Sequence, residues 1–314
     1  MGAGAGGGRG PGPGPLAGHL PGRVRRPQGA HGGGHRAAVG RPAAGGGGRT
    51  VTLEPQVEAA IEEAARIVLG ARHVVALVGA GLSVESGIPP FRGPGGLWTK
   101  YGEPDMLGYQ RFLQDPQRWW EERLSPRAGY RELAEALARA RPNPGHYALK
   151  EMEDLGFLKH IITQNIDNLH FEAGSRNVTE IHGNRTKLRC IACNARWPSD
   201  QFPIEELPPR CPHCRGLVKS DTVMFGEPIP RDALDECVRQ TVMCDCMLLV
   251  GTSGVVYPAA GFPVDVKMQG GALIEFNPDE TALTDLCDVV VRAPAGVALP
   301  RLVERLKQLS GRKD

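Results

Sequence analysis

Four short apolar runs punctuate the chain, and each ends in glycine or small polar side chains. Residues 73–78 run into Gly79-Ala80-Gly81-Leu82-Ser83, and residues 159–162 into Thr163-Gln164-Asn165-Ile166-Asp167. Residues 247–250 lead to Gly251-Thr252-Ser253, and residues 272–276 to Asn277-Pro278. Runs of Val, Ile and Leu this short, alternating with helical stretches, predict strands of a parallel sheet covered on both faces. In such sheets a ligand sits in the crevice outside the carboxyl ends of the strands. The pattern therefore predicts an α/β fold in which four polar clusters converge on one crevice, suited to a nucleotide or dinucleotide.

The first fifty residues break this pattern. They hold 19 glycines, seven arginines and no acidic residue. Such a composition cannot bury enough apolar surface to offset chain entropy, so residues 1–50 are expected to be a disordered leader. Setting them aside changes the charge. The formal +2 becomes 30 basic against 35 acidic side chains over residues 51–314, a net −5. A mildly acidic folded part gives no reason to expect nucleic-acid binding by the core. No run approaches the ~20 apolar residues that cross a bilayer, so no membrane partner and a cytoplasmic protein are expected. An Arg-rich, acid-free leader also fits a mitochondrial transit segment, although it has no serine and its glycines oppose a helix.

The cysteines add a second kind of chemistry. Cys190-Ile191-Ala192-Cys193 and Cys211-Pro212-His213-Cys214 form two Cys-x-x-Cys knuckles. Two such knuckles complete a closed tetrahedral thiolate shell for one structural Zn2+. The alternatives are two reduced thiol pairs or a redox Cys-x-x-Cys. The segment between the knuckles carries Trp197 and four prolines. It reads as too short and broken for a core of its own, so the metal is expected to supply its cohesion. Cys237, Cys244, Cys246 and Cys287 read as buried small hydrophobes.

The glycine turn after the first run departs from the dinucleotide fingerprint. Gly-x-Gly-x-x-Gly would place glycine at Val84, but the third glycine comes at Gly87, and no second strand with a ribose-binding acid follows. On its own, Gly79-Ala80-Gly81 is weak evidence and fits a plain turn equally well. The continuation Ser83-Val84-Glu85-Ser86-Gly87-Ile88-Pro89-Pro90-Phe91-Arg92-Gly93 sharpens it by adding donors, an arginine and an aromatic near the same strand end.

Taken together, these motifs resemble the sirtuins, the NAD-dependent protein-lysine deacylases. Gly-Ala-Gly-x-Ser-x-x-Ser-Gly-Ile-Pro-x-Phe-Arg, Thr-Gln-Asn-Ile-Asp-x-Leu-His, His182-Gly183, the four cysteines and Gly251-Thr252-Ser253 occur in the family's order. The resemblance covers roughly residues 55–310. One departure is Pro90, where the family usually has Asp. The resemblance implies a Rossmann-like parallel-sheet domain made of residues 51–93, 144–183 and 227–314. It implies a smaller module of two insertions, a helical one at 94–143 and a zinc ribbon at 184–226.

The resemblance also assigns roles. NAD, consumed as a co-substrate, would be held by Gly79, Ala80, Gly81, Ser83, Phe91, Arg92, Gln164, Asn165, Ile166, Asp167, Gly251, Thr252, Ser253, Asn277 and Ala295. Of these, Ala80, Gly81 and Arg92 would approach the pyrophosphate, Gln164 the ribose, and Asp167 the nicotinamide carboxamide. His182, with Asn165 and Asp167, is the catalytic set. The acyl oxygen attacks the nicotinamide ribose, nicotinamide leaves, and His182 as general base activates a ribose hydroxyl so that the acyl group passes to ADP-ribose. Cys190, Cys193, Cys211 and Cys214 would hold the zinc. Val223, Phe225 and Gly226 on one side, and Val255 and Val256 on the other, would offer strand edges to an acyl-lysine peptide or protein.

Plainer readings stand beside these. Asn277-Pro278 also suits a turn, Ser253 a helix N-cap and Asp167 an Asx cap on a following helix. His146, His160 and His170 read as structural or surface histidines. Two other activities fit the same cleft: a protein ADP-ribosyltransferase, and a non-enzymatic NAD- or zinc-binding module. Within the family, the removers of succinyl and malonyl groups carry a Tyr-x-x-Arg pair after an Asp/Asn-Pro turn. Here Arg123 and Pro126 occupy those places, so deacetylation is expected over desuccinylation.

Overall fold

The computed structural model describes residues 53–93, 95–125 and 128–312. The expected leader at 1–50 lies outside the described residues, as do Pro126 and Arg127.

The chain opens with α1 (Pro55–Gly70), followed by β1 (Val74–Val78) and a 3-10 turn, Ala80–Ser86. Four helices then fill the first expected insertion: α2 (Leu97–Tyr101), α3 (Gly108–Gln114), α4 (Pro116–Leu124) and α5 (Ala128–Arg139). Next come α6 (Pro144–Asp154), β2 (Leu158–Thr163), α7 (Leu169–Glu172) and β3 (Val178–Glu180). The short strands β4 (Lys187–Cys190), β5 (Arg196–Pro198) and β6 (Val218–Ser220) build the second insertion. The chain closes with α8 (Arg231–Met243), β7 (Cys246–Val250), α9 (Phe262–Met268), β8 (Ala272–Phe276), β9 (Val289–Val291) and α10 (Ala295–Ser310).

Local chemistry explains several of these boundaries. The Asp115 side chain accepts the Arg118 N–H at 3.0 Å, with Pro116 at the first helical position of α4. Asn143 does the same for α6, where the His146 side chain returns the bond in a capping box.

Six strands make one parallel sheet in the order β3-β2-β1-β7-β8-β9. With only its own strands counted along the chain, this is the doubly wound dinucleotide-binding order. All five residues of β1 are buried, as expected for a sheet covered on both faces. Alternate residues serve opposite cores. Val74, Ala76 and Val78 pack with Ile61 of α1, Leu149 of α6 and Leu299 of α10. Val75 and Leu77 pack with Cys237 of α8 and with Phe262 and Val266 of α9. The second insertion forms a three-stranded antiparallel sheet, β5-β4-β6.

One expectation for that insertion needs correction. It does not rely on metal alone for cohesion, because Trp120 of α4 packs with Leu188, Cys190, Cys211 and Val218, flanked by Trp119, Trp197, Phe202 and Leu207. The Trp120 indole N–H donates to Val218 O at 3.0 Å. The two insertions thus share one small core, which neither segment shows alone. Among the other cysteines, Cys237, Cys244 and Cys246 are buried as expected, but Cys287 is only partly so.

Candidate active site at the carboxyl edge of the sheet

Register places the strand ends side by side. Val78 pairs with Thr163 on one side and Val250 on the other, Val250 with Phe276, Thr163 with Glu180 and Phe276 with Val291. Everything that follows these residues therefore emerges along one edge. Gly79 to Ser83, Gln164 to Asp167, His182, Gly251 to Ser253 and Asn277 are brought together there, as the apolar pattern requires.

The glycines of the first and third clusters serve each other. A Cβ on Gly81 would lie 2.7 Å from Gly251 Cα, and one on Gly79 would lie 2.7 Å from Gly251 O. Gly81 N–H donates to Gly251 O at 2.8 Å. Their missing side chains let the β1 and β7 loops touch, which the close-approach reading for the pyrophosphate does not capture.

Beneath this floor lies a buried polar group. Ser83 Oγ donates to Asp167 Oδ2 at 2.6 Å, and Asn165 Nδ2 donates to Gly79 O at 3.0 Å and Ser83 Oγ at 3.2 Å. Asp167 Oδ1 accepts the Leu169 N–H at 2.9 Å, so the Asx cap is present alongside the site contact. Burial holds the Asp167 carboxyl above its ordinary range, opposed by the Ser83 bond. Gln164 turns inward, where Nε2 donates to Thr252 Oγ1 at 2.9 Å and ties two strand ends. Asn277 Nδ2 donates to Thr252 O at 3.3 Å. Ser253 is exposed and caps no helix, while Ala295 is buried at the start of α10.

His182 is half-buried just past β3. Its Nδ1 lies 3.1 Å from Gln164 O. A carbonyl only accepts, so Nδ1 carries the proton and Nε2 presents its lone pair. Nε2 has no hydrogen-bond partner among the described residues. Burial lowers the pKa of this imidazole, partly opposed by the Gln164 bond. Gly183 follows at φ +74°, and a Cβ there would meet Asp221 O at 2.1 Å. Only glycine lets the histidine loop press against the chain that leads to residues 223–227.

Aromatic side chains link the glycine-rich loop to that chain. Phe91 lies 5.2 Å from Trp98, which lies 5.9 Å from Phe225. The exposed Arg92 guanidinium rests 4.3 Å over the Trp98 ring. Trp98 and Glu85 join the site without any role expected of them from the sequence. Glu85 accepts the Gly296 N–H at 2.7 Å and so fixes the start of α10, a contact between residues too far apart for pattern to reveal.

The two peptide-facing stretches differ from expectation. Neither residues 223–227 nor residues 254–256 form a strand. Val223 N–H donates to His182 O at 2.8 Å, and the Tyr109 N–H donates to Phe225 O at 3.1 Å. These backbone groups are already tied to the protein, so only part of the edge is free for pairing.

The four cysteine sulfurs lie within 4.8 Å of one another. Two of the pairs, Cys190–Cys214 and Cys193–Cys211, are 3.5 and 3.6 Å apart. That is far beyond a disulfide bond of ~2.05 Å. It is close to the ~3.8 Å edge of a tetrahedron of thiolates around zinc at ~2.3 Å. The donor set fits one closed structural zinc. His213 stacks on Trp197 at 5.8 Å, outside the sulfur group.

A doubly wound sheet with a polar carboxyl edge and a closed thiolate site in an inserted ribbon defines a dinucleotide-binding α/β protein with a structural metal module. The Sir2 family model matches residues 79–258, and the chain belongs to the Sir2 family. It is 42% identical over 254 residues to an NAD-dependent protein deacylase of Pyrococcus abyssi, covering 79% of this chain and 99% of the relative. An NAD-dependent protein deacetylase of Caldivirga maquilingensis is 42% identical over 249 residues, with 78% and 93% covered. Among solved structures, a Sir2 homologue in complex with NAD aligns with a TM-score of 0.67 and 41% identity, covering 79% of this chain and 94% of that one. Sir2Af2 bound to a myristoylated histone peptide aligns with a TM-score of 0.59 and 34% identity, covering 82% and 100%.

Proposed function

We propose that this chain is an NAD-dependent protein-lysine deacylase that acts on uncharged acyl groups, acetyl first among them. The observation that carries the reading is the pairing of His182 Nδ1 with Gln164 O at 3.1 Å, which leaves a neutral Nε2 at the edge where the other strand ends meet. Bound NAD would supply a ribose carbon that loses nicotinamide and an ADP-ribose that receives the acyl group. The residues present suit it. The crossing of Gly81 and Gly251 keeps side chains out of the crevice, and Arg92 is an exposed cation able to leave Trp98 for a pyrophosphate.

Ala80, Gly81 and Arg92 would face the pyrophosphate, and Gly251, Thr252, Ser253, Asn277 and Ala295 the adenosine side. Asn165, Ile166 and Asp167 would hold the nicotinamide, with Ser83 steadying Asp167. Each carboxylate oxygen has more than one acceptor site, so Asp167 can keep Ser83 and Leu169 while taking a carboxamide N–H. His182 Nε2 would take a proton from a ribose hydroxyl, and Phe91 would exclude water. The acyl-lysine peptide would lie between Val223, Phe225 and Gly226 and the pair Val255 and Val256. Its main chain would complete the unpaired part of each edge.

Incubating the protein with NAD and peptides of several acyl types, followed by mass analysis, tests this. O-acyl-ADP-ribose is the expected product. ADP-ribosylated protein would mean a transferase, and no turnover a non-enzymatic module.

A further inference from the structure

A chain of buried charges runs from the ribbon sheet into residues 221–227. Glu227 and Lys219 are 2% and 0% exposed at their side chains and lie 3.0 Å apart, Nζ to Oε2. Oε2 also accepts the Met224 N–H at 2.9 Å, and Oε1 accepts from Arg189 Nη2. The Lys219 ammonium spends its other two hydrogens on Ser220 O at 2.7 Å and Thr222 O at 2.8 Å. Arg189 Nε donates to Asp221 Oδ1 at 3.0 Å, and Arg196 Nε reaches the same oxygen at 3.1 Å. Arg196 continues to Asp232 of α8 at 2.7 Å.

Cations and anions alternate along this chain and cancel. Buried ion pairs are costly to assemble and costlier to break singly, so their presence signals a geometric constraint more than a stability gain. What they constrain is the backbone between Thr222 and Glu227. Glu227 N–H donates to Met224 O at 3.0 Å, while the Met224 N–H returns to the Glu227 carboxylate. The turn is thus closed from both ends. Just before it, Lys219 holds the carbonyl of Thr222, and Val223 N–H is bonded to the carbonyl of His182.

We propose that Glu227, supported by Lys219 and Arg189, is the positioning residue of the peptide groove. It fixes the course of Val223, Met224, Phe225 and Gly226 relative to His182 and couples that course to the zinc-bearing sheet. It does so without touching peptide or NAD, since its carboxylate is enclosed by protein donors. The inference rests on the deacylase reading for the identity of the groove.

The test uses the zinc-loaded full chain. Glu227→Gln keeps the shape and one acceptor for Met224 but removes the charge facing Lys219 and Arg189. The KM for an acetyl-lysine peptide should rise tenfold or more. NAD affinity, measured by calorimetry without peptide, and the zinc content should stay within twofold of wild type. Glu227→Asp, which keeps the charge facing Lys219 and Arg189, should raise KM at least threefold less than Glu227→Gln does. An unchanged KM, or NAD and peptide affinity falling together, overturns the proposal. Hydrogen exchange on the wild type decides the matter if the variants do not fold. Met224 N–H should be as protected as the amides of β6, and fast exchange there overturns the proposal. That readout needs no catalysis, so a wild type that turns over no peptide refutes the deacylase reading while the exchange result still judges the positioning claim.

Discussion

His182 Nδ1 lies 3.1 Å from the carbonyl oxygen of Gln164, the residue that follows the neighbouring strand. One sheet edge thereby sets the tautomer of the base supplied by the next. His182→Ala should lower deacylation by ~10²- to 10⁴-fold, the usual loss of a general base. NAD binding should largely persist, because only the ribose-hydroxyl contact is removed and the proposed pyrophosphate, adenosine and nicotinamide contacts remain. The base works only when neutral, and burial lowers its pKa from the ordinary 6.5. Activity should therefore be lost as pH falls through a value below 6.5. A wild-type rate in the variant, or an acid limb of kcat/KM centred above pH 7, removes His182 from this role.

Trp119, Trp120 and Trp197 pack beside the sulfur site and belong to both insertions. Chelation or Cys190→Ser should therefore shift the tryptophan emission to the red and abolish peptide turnover together, because metal and core support one module. A metal-free protein with full activity and unchanged protease resistance contradicts this.

The sheet was legible because its runs are short and largely apolar and each leads into a cluster of glycine or small polar residues. Residues 272–276 coincide with β8, and the other three runs differ from their strands by at most one residue at either end. The polar clusters after them were legible for the same reason, since a parallel sheet must deliver them to one edge. The strand β9 carries only three residues and gave too little pattern to separate from loop. The contacts of Gly81 with Gly251, Glu85 with Gly296 and Glu227 with Lys219 and Arg189 join distant segments. Pairwise geometry of that kind leaves no local period. The same holds for the small core, where Trp120 of one insertion completes the ribbon of the other.

Three buried histidines predict acid sensitivity. Burial lowers His160 and His146 to about 4 and His170 to about 3, against 6.5 ordinarily. In the unfolded chain they bind protons below about 6.5, but in the folded chain His160 and His146 resist until about 4 and His170 until about 3. Over that interval the unfolded state holds more protons, so stability falls as pH falls and levels off below it. At about 1.4 kcal/mol per pKa unit, His160 alone accounts for about 2 kcal/mol by pH 5. His160 Nε2 pairs with Thr179 Oγ1 at 2.7 Å, a contact His160→Asn can partly keep. Denaturant midpoints at pH 7 and pH 5 should differ less in that variant. Equal differences in the two proteins would show that His160 titrates normally.

The resemblance sets Arg123 and Pro126 at the sequence positions where desuccinylating members carry tyrosine and arginine, and Arg123 lies in α4, which Asp115 caps. The Arg123 guanidinium is already engaged. It donates to Ser220 Oγ at 3.1 Å and lies 5.5 Å over the Trp119 ring. A succinyl carboxylate entering the groove would have to draw it away from both or go without a partner, and an unpaired buried carboxylate is strongly penalised. Acetyl-lysine makes no such demand. Acetyl peptide should therefore be preferred over its succinyl counterpart by tenfold or more in kcat/KM, about 1.4 kcal/mol of transition-state stabilisation. Kinetics on the two forms of one peptide decide it. Arg123→Ala separates the causes: if Arg123 stays on Ser220, the variant leaves the succinyl rate unchanged. A succinyl preference that Arg123→Ala abolishes would mean that this arginine leaves Ser220 and pairs with the acyl chain.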